Sequence, residues 1–179
     1  MKMYRCRICG ETHLGYSRPS NCPFCGAHEE YLVPSPEYPA GLNDVELTET
    51  ERTDVLAAIE LERSNARFYL GMSAHHDNDG LASAYKRLAT IEAEHCSVFC
   101  KLARVPKPED LFSPAETAAD WCANIDESLA REQKASAFYA DVASRASTER
   151  IVEIFAAVSA IEADHIELDH LAKGYAGCN

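Results

Sequence analysis

The sequence has no run of 18 consecutive apolar residues, so no segment of it is suited to span a membrane as a helix. It also has no apolar stretch near its start, which argues against a signal peptide and predicts a cytoplasmic location. Positive charge is scarce: 17 Lys and Arg stand against 29 Asp and Glu, a net charge of −12. Such a chain is poorly suited to nucleic acid phosphates, so we expect neither a nucleic acid nor a membrane partner.

Proline is absent from four long stretches that are rich in Ala, Glu, Leu and Arg, and these stretches predict four helices. The predicted helices span residues 48–74, 81–104, 117–145 and 148–174. Ahead of them lie a Cys- and Gly-rich module, residues 1–33, and a proline-rich linker, residues 34–47. The sequence therefore predicts a mainly α protein with two parts: the small N-terminal module and a four-helix bundle over residues 48–179.

The connection between the second and third predicted helices, "VPKPEDLFSP", contains three prolines and cannot be helical. Extended, its ten residues reach roughly 35 Å, close to the length of the predicted helices. We therefore expect it to cross the length of the bundle, so that helix three starts parallel to helix two. A bundle with one long crossover has the ferritin-like arrangement rather than a simple up-and-down order.

An internal repeat with a period of seventy residues relates the two halves of the bundle. "ERSNARFY" at 62–69 matches "EQKASAFY" at 132–139, and "IEAEH" at 91–95 matches "IEADH" at 161–165. At this shift Glu92 falls on Glu162, and His95 falls on His165. The simplest interpretation is a doubled helical hairpin, with each hairpin contributing the same polar residues.

These polar residues occupy positions at which a bundle helix normally carries its core residues. Steps of three and four place the residues of each helix on one face. The predicted rows are Val55, Ile59, Glu62, Ala66 and Tyr69; Leu81, Tyr85, Leu88, Glu92, His95, Phe99 and Leu102; Ile125, Leu129, Glu132, Ser136 and Tyr139; and Ile151, Phe155, Val158, Glu162, His165, Asp169 and Ala172. Each helix thus places a glutamate in the core, and two of them add a histidine.

The two glutamates of each hairpin also lie at the same height, fifteen residues either side of Asp77 in the first and of Ser147 in the second. Four buried carboxylates require compensating positive charge, and no row contains Lys or Arg. Two metal ions held by four Glu and two His form the pattern of four-helix di-iron proteins. The predicted ligands are Glu62, Glu92, His95, Glu132, Glu162 and His165, for iron, with manganese or zinc as substitutes.

Tyr69 and Tyr139 lie two turns beyond the glutamates of helices one and three. A buried tyrosine hydroxyl needs a hydrogen-bond partner, and a ligand carboxylate is available at this place. The alternatives for both tyrosines are an ordinary core position and a hydrogen bond donated to a ligand carboxylate, and we expect the second.

The N-terminal module contains two Cys-x2-Cys pairs separated by twelve residues: Cys6 and Cys9, then Cys22 and Cys25. A glycine follows each pair, as a tight turn around a metal requires. Four thiolates at this spacing predict one tetrahedral ion, zinc or iron. Zinc would serve as a structural staple, whereas iron would provide a one-electron centre beside a di-iron site. For the remaining cysteines, we expect Cys96, Cys100 and Cys122 to be free packing residues, and Cys178 supports no prediction.

The combination of "CRICG" and "CPFCG" with Glu62, "EAEH" at 92–95, Glu132 and "EADH" at 162–165 resembles the rubrerythrin family. The order, with the rubredoxin-like module first, resembles its reverse type. The resemblance implies a peroxidase that reduces hydrogen peroxide to water in oxidative-stress defence. It further implies electrons delivered by a redox partner protein through an Fe(Cys)4 centre, and a homodimer in which one subunit's module approaches the other's di-iron site.

One position departs from the family pattern. Typical rubrerythrins have a further glutamate three residues after the ligand of the third helix, and here that position is Ala135. The resemblance therefore implies a symmetric set of six ligands without the ligand exchange that the extra glutamate permits. Two other functions use the same residues: an oxygen-reducing protein or ferroxidase, and a zinc-containing structural or storage protein without turnover.

Overall fold

The computed structural model describes residues 1–178, and the chain begins with a small three-stranded sheet. Strand β1 spans Lys2–Cys6, β2 spans Thr12–Gly15 and β3 spans Leu32–Pro34. The strand order is β2-β1-β3, and both pairings are antiparallel. The sheet is too short to form a core of its own, and the buried cysteines of the N-terminal module join the apolar core of the helices.

Four helices follow, numbered α1 Glu49–Met72, α2 Asp79–Ala103, α3 Trp121–Arg145 and α4 Glu149–Ala176. Seven of the eight predicted ends lie within two residues of the observed ends, and two of the differences have a clear structural cause. Helix α3 begins four residues later than expected because the Asp120 side chain accepts a hydrogen bond from the Ala123 N–H and caps the helix there. Helix α4 passes through Gly174 and ends at Ala176, where Gly177 caps it with a φ of 72°, the left-handed conformation that favours glycine.

The connection between α2 and α3 runs along α1 from one end of the bundle to the other. Arg63 holds Asp110 through two hydrogen bonds of 2.7 and 2.6 Å, and the Ala115 N–H donates to the Arg67 carbonyl. The path leads to the far turn, where Trp121 Nε1 donates to Asp77. Helix α3 therefore starts beside the turn from which α2 starts and runs parallel to α2, as the sequence predicted.

The close approach of this crossover to α1 explains one glycine. A Cβ atom at Gly71 would lie 2.3 Å from the carbonyl oxygen of Ala115, a distance that no side chain tolerates. Glycine at this position therefore allows the backbone of the crossover to lie directly on α1.

Glu51 joins the N-termini of α1 and α4. Thr48 caps α1 by accepting from the Glu51 N–H, and Glu51 accepts from the Thr48 N–H in return. The same carboxylate accepts from the N–H groups of Ser147 and Thr148 at 3.0 and 2.8 Å. Burial opposes the ionised form, but the N–H groups of Thr48 and Thr148 outweigh it and lower the pKa of Glu51 to about 2.

The predicted rows of core residues hold for α1, α2 and α4, whose glutamates and histidines are all buried. For α3 the prediction was wrong at two positions. Leu129 and Ser136 are only partly buried, and the core positions belong to Ser128 and Ala135. Both choices fit a helical period through Glu132, and the hydrophobicity of Leu129 favoured the wrong one.

Within residues 1–178, no helix combines the length and apolar character that a membrane span requires.

A disulfide between Cys122 and Cys178 ties the start of α3 to the end of the chain. The prediction that Cys122 is a free packing residue was therefore wrong, whereas Cys96 and Cys100 are free and buried as expected. The pairing joins residues 56 apart in sequence, and only the tertiary fold brings them together.

Replacing Cys122 by serine should lower the free energy of unfolding by about 2–4 kcal/mol, because the disulfide restricts the unfolded chain over a long loop. Chemical denaturation without reductant measures this difference. Cys178→Ser should lose the same amount, and the two losses should not add in the double variant. Unfolding of Cys122→Ser at the same denaturant concentration as the unreduced wild type would contradict this role of the disulfide.

Candidate metal centres

The four cysteines of the N-terminal module lie together and are buried. Cys6 Sγ is 3.7 Å from Cys25 Sγ, and Cys9 Sγ is 3.8 Å from Cys22 Sγ. Four sulfurs at a metal–sulfur distance of about 2.3 Å form a tetrahedron with edges of about 3.8 Å, so the cluster fits one zinc or iron ion. The contact with Cys25 lowers the pKa of Cys22, whereas the contacts with Cys22 raise the pKa of Cys9 and of Cys25.

Each pair of cysteines turns on a glycine with a positive φ angle, 87° at Gly10 and 81° at Gly26. The Gly10 N–H donates to the Cys6 carbonyl, and the Gly26 N–H donates to the Cys22 carbonyl, both at 2.9 Å. The sheet positions the first pair at the end of β1. These two turns bring the pairs face to face.

The six predicted donors of the bundle converge in its core and are all buried. They form two overlapping groups in which the ligand atoms lie within 4.8 Å of one another. The first group contains Glu62, Glu92, His95 and Glu162, and the second contains Glu92, Glu132, Glu162 and His165. Glu92 and Glu162 belong to both groups, so they are the residues placed to bridge two ions.

The six donors are suited to binding metal ions because many of their buried atoms have no hydrogen-bond partner among residues 1–178. Unpaired buried atoms include both oxygens of Glu92, one oxygen each of Glu62, Glu132 and Glu162, and Nδ1 of His95. Unpaired buried carboxylates are costly, and a pair of cations at their centre would satisfy them. The oxygen and nitrogen donors suit iron, manganese or zinc.

A contact with the cysteine module orients the His95 ring. Its Nε2 lies 2.8 Å from the backbone oxygen of Cys25. A carbonyl only accepts, so Nε2 carries a proton, and Nδ1 is the nitrogen that can bind a metal ion once it is deprotonated. Nδ1 faces the carboxylates, 3.3 Å from Glu92 and 3.4 Å from Glu162, which is the orientation of a metal ligand held by an outer hydrogen bond.

The two tyrosines cross between the halves of the bundle, and each donates a hydrogen bond to a carboxylate of the predicted ligand set. Tyr69 on α1 donates to Glu132 on α3, and Tyr139 on α3 donates to Glu62 on α1. Each hydroxyl thus holds one oxygen of a carboxylate that belongs to only one group, which leaves the other oxygen free for a metal ion.

The pKa shifts of the six donors fall into three pairs, and each pair has one member from each half of the bundle. Burial, reinforced by the charges of Glu92 and Glu162, raises the pKa of Glu62 and of Glu132. Burial alone would lower the pKa of each histidine, but hydrogen bonds and charges from the surrounding glutamates raise both. Burial would raise the pKa of Glu92 and of Glu162. The charges and hydrogen bonds of the two histidines outweigh burial, so the pKa of each glutamate is lowered.

The cysteine module packs on α2 and α4 directly over this centre. A Cβ at Gly26 would lie 2.9 Å from the Ile161 side chain, and His28 pairs with Asp164 at 2.7 Å. On the other side of the module, the buried guanidinium of Arg150 donates to the Arg7 carbonyl at 2.5 Å. The module and the bundle of one chain therefore bring both sets of donors into contact.

Three polar residues near the centre, Asp169, Tyr85 and Ser128, were not identified as functional residues from the sequence. Asp169 is fully buried and accepts a hydrogen bond from the hydroxyl of Tyr85 at 2.7 Å. Ser128 is also fully buried and donates to the hydroxyl of Tyr69 at 3.3 Å. Burial raises the pKa of Asp169 to about 6. An aspartate in a core row was the available signal, because a carboxylate there needs a partner.

A long crossover together with carboxylate and imidazole donors from four helices defines a ferritin-like metal protein, here joined to a four-cysteine module. Residues 4–32 match the rubredoxin-like domain of rubrerythrin, and residues 55–168 match rubrerythrin itself. The chain therefore belongs to the rubrerythrin family, with the rubredoxin-like module first.

Among characterised proteins, reverse rubrerythrin-1 of Clostridium acetobutylicum is 32% identical to this chain over 112 residues. The match covers 57% of this chain and 62% of that protein, so the chain spans less than two thirds of its relative's length. No solved structure gives a significant match.

Proposed function

We propose that this protein is a di-iron peroxidase that reduces hydrogen peroxide to water in oxidative-stress defence. Its electrons would come from a redox partner protein through an Fe(Cys)4 centre. Membership of the rubrerythrin family, whose members are generally oxidoreductases, supports this proposal. The observation that carries it is the contact between the two sets of donors, His95 Nε2 to the Cys25 carbonyl.

That contact gives an electron a short connection through the protein. Cys25 belongs to the thiolate set, and its carbonyl accepts the hydrogen bond of His95. The other ring nitrogen of His95 faces Glu92 and Glu162. A purely structural zinc module would not need to lie against a ligand of a second metal centre, so the contact favours electron transfer over a structural or storage role.

The residues of the bundle would prepare the site for reaction with peroxide. Glu92 and Glu162 would bridge two irons, and Glu62, Glu132, His95 and His165 would complete the ligands. When bound, the irons supply electrons and act as Lewis acids toward peroxide. The tyrosines hold the terminal carboxylates in place, and burial keeps bulk water away.

Ala135 distinguishes this site from that of typical rubrerythrins. The Ala135 side chain is fully buried on the side of α3 that faces the bundle core, and it provides no carboxylate to the centre. We therefore expect the six ligands to stay in place when the irons change oxidation state. A homodimer and a cytoplasmic location remain expectations from the sequence.

Anaerobic stopped-flow absorption tests the proposal. We expect peroxide added to the fully reduced, iron-loaded protein to be consumed while the visible thiolate band of oxidised Fe(Cys)4 appears. Glu92→Gln, designed to lose the bundle metals and keep the four-cysteine centre, is the control and should show neither event at a comparable rate. Oxidation of the wild type without peroxide consumption above that of free iron would contradict peroxidase activity.

The same experiment with oxygen in place of peroxide, together with metal analysis, separates the other functions. A much faster reaction with oxygen than with peroxide would identify an oxygen-reducing protein or ferroxidase. Zinc in both centres of protein purified without added metal would identify a structural or storage protein.

A further inference from the structure

The two cysteine turns of the module differ in what surrounds their backbone. In the first cysteine turn, residues 6–10, four successive carbonyls accept hydrogen bonds from Lys or Arg side chains, and they belong to Arg7, Ile8, Cys9 and Gly10. In the second, residues 22–26, no carbonyl accepts from Lys or Arg within the described part of the chain. Positive charge is therefore concentrated around the first turn.

The bundle, rather than the module, supplies most of these donors. Arg150 on α4 donates from Nη2 to the carbonyls of Arg7 and Ile8, at 2.5 and 3.5 Å. Lys101 on α2 donates from Nζ to the carbonyl of Cys9 at 3.3 Å. Two helices of the bundle thus each direct a cation at the backbone of a cysteine turn.

These cations are an exception in an acidic bundle. Of the 17 Lys and Arg in the chain, four lie in residues 1–33, and of the 29 Asp and Glu, three lie there, so the rest of the chain carries nearly all of the negative charge. The shift of seventy places Gly80 opposite Arg150 and Leu171 opposite Lys101. Neither cation is part of the repeat, and both occur where the module packs on the bundle.

Arg150 is buried, with only 6% of its surface exposed. Glu153 pairs with Arg150 at 2.6 Å and with Arg7 at 2.7 Å. Two guanidinium groups and one carboxylate leave one net positive charge against the first turn. Arginine keeps its charge throughout the pH range of proteins, and a charge that is shielded from water acts more strongly on its neighbours.

A four-cysteine centre responds to such a charge when it holds iron. Four thiolates with Fe(III) carry one net negative charge, and with Fe(II) they carry two. A fixed positive charge close by stabilises the more negative form, and net charge and hydrogen bonding are among the factors that set the potentials of thiolate-bound iron. The position of Arg150 therefore favours the reduced form.

We propose that Arg150, and to a smaller extent Lys101, raise the reduction potential of the four-cysteine centre. Both act through the backbone of the first cysteine turn, so they are positioning residues and not ligands. Because both belong to the bundle, the potential of the centre depends on the module being packed on α2 and α4.

This inference deepens the proposed function and rests on it for its purpose. A redox partner would deliver one electron at a time to the four-cysteine centre. Stabilisation of the reduced form by the bundle makes that electron easier to accept and keeps it beside the di-iron centre, where peroxide would consume it.

Redox titration of the full-length, iron-loaded protein tests the inference without peroxide. The visible thiolate band of the oxidised form reports on this centre alone. At the midpoint potential of the wild type, Arg150→Gln should lower the ratio of reduced to oxidised centre about tenfold, which is a fall of ~59 mV. Lys101→Gln should lower the ratio by less, because Lys101 is exposed and salt screens its charge.

Three further variants separate charge from packing. Glu153→Gln removes the carboxylate beside Arg150 and should shift the potential upward. Arg150→Lys retains the positive charge and should restore most of the wild-type potential. Arg18→Gln is the matched control, because it removes a cation of the module whose side chain is 46% exposed, and it should leave the potential unchanged. Iron content and thermal melting show that each variant is folded.

An unchanged potential in folded Arg150→Gln would overturn the proposal. A rise would overturn it too, because a loosened module admits water, which also stabilises the more negative form. If Arg150→Gln does not fold, the exposed Lys101→Gln and Glu153→Gln decide: no fall in the first and no rise in the second at low salt would overturn the proposal. The potentials can be measured even if the protein does not reduce peroxide, so failure of this inference and failure of the peroxidase function can be distinguished.

Discussion

Glu92→Gln will lose both metal ions of the bundle, whereas Glu62→Gln will lose only one. Glu92 belongs to both groups of donors, so the change removes a negative ligand from each ion. Glu62 belongs to the first group alone and leaves Glu92, Glu132, Glu162 and His165 intact. Loss of an outer partner costs about 10–100-fold in affinity, and loss of a bridging ligand should cost more.

Metal content per chain measures this prediction, with the single metal of the four-cysteine centre as an internal standard. After dialysis we expect close to two further ions in the wild type, about one in Glu62→Gln and close to none in Glu92→Gln. Glu127→Gln is the control: Glu127 is exposed on α3 and pairs with Arg131, so this variant should retain both ions. Equal losses from Glu62→Gln and Glu92→Gln would contradict the bridging assignment.

Loading the bundle with two divalent ions at neutral pH will release protons, up to four per chain. The raised pKa values of Glu62, Glu132, His95 and His165 favour a proton on each of these groups in the metal-free protein. The lowered pKa values of Glu92 and Glu162 favour their ionised forms. Metal ligands must be deprotonated, so binding displaces the protons that are present and metal affinity rises with pH.

Calorimetry in buffers of different ionisation enthalpy counts these protons. The four-cysteine site is filled beforehand, so that its thiols do not contribute. Glu62→Gln, which has one proton fewer and binds one ion fewer, should release clearly fewer protons than the wild type. Release of no protons would mean that the metal-free donors are already deprotonated, and it would contradict the charge balance inferred for the buried cluster.

The convergence of the six donors could be predicted from the sequence because the repeat and the helical period constrain each other. A single Glu-x-x-His carries little information, but two copies at the same shift, each with a glutamate thirty residues earlier, specify one level of the bundle. The crossover followed from three prolines and a length that matched the helices. These features depend on spacing along the chain, which the sequence states directly.

Contacts between distant segments could not be predicted in the same way. The Cys122–Cys178 disulfide depends on where the last turn of α4 meets the start of α3. The hydrogen bond from His95 to Cys25 depends on how the module packs on the bundle. Ser128 was missed because its register on α3 is decided by packing against neighbouring helices, and hydrophobicity favoured Leu129 instead.

Anomalous X-ray diffraction from crystals of the metal-loaded protein tests the central claim most directly. The account predicts one peak among Cys6, Cys9, Cys22 and Cys25, and two peaks inside the bundle. Glu92 and Glu162 should lie between the two bundle peaks, with His95 at one peak and His165 at the other. A fully loaded crystal with no peak among the four glutamates, or with a single ion held by one half of the repeat, would contradict it.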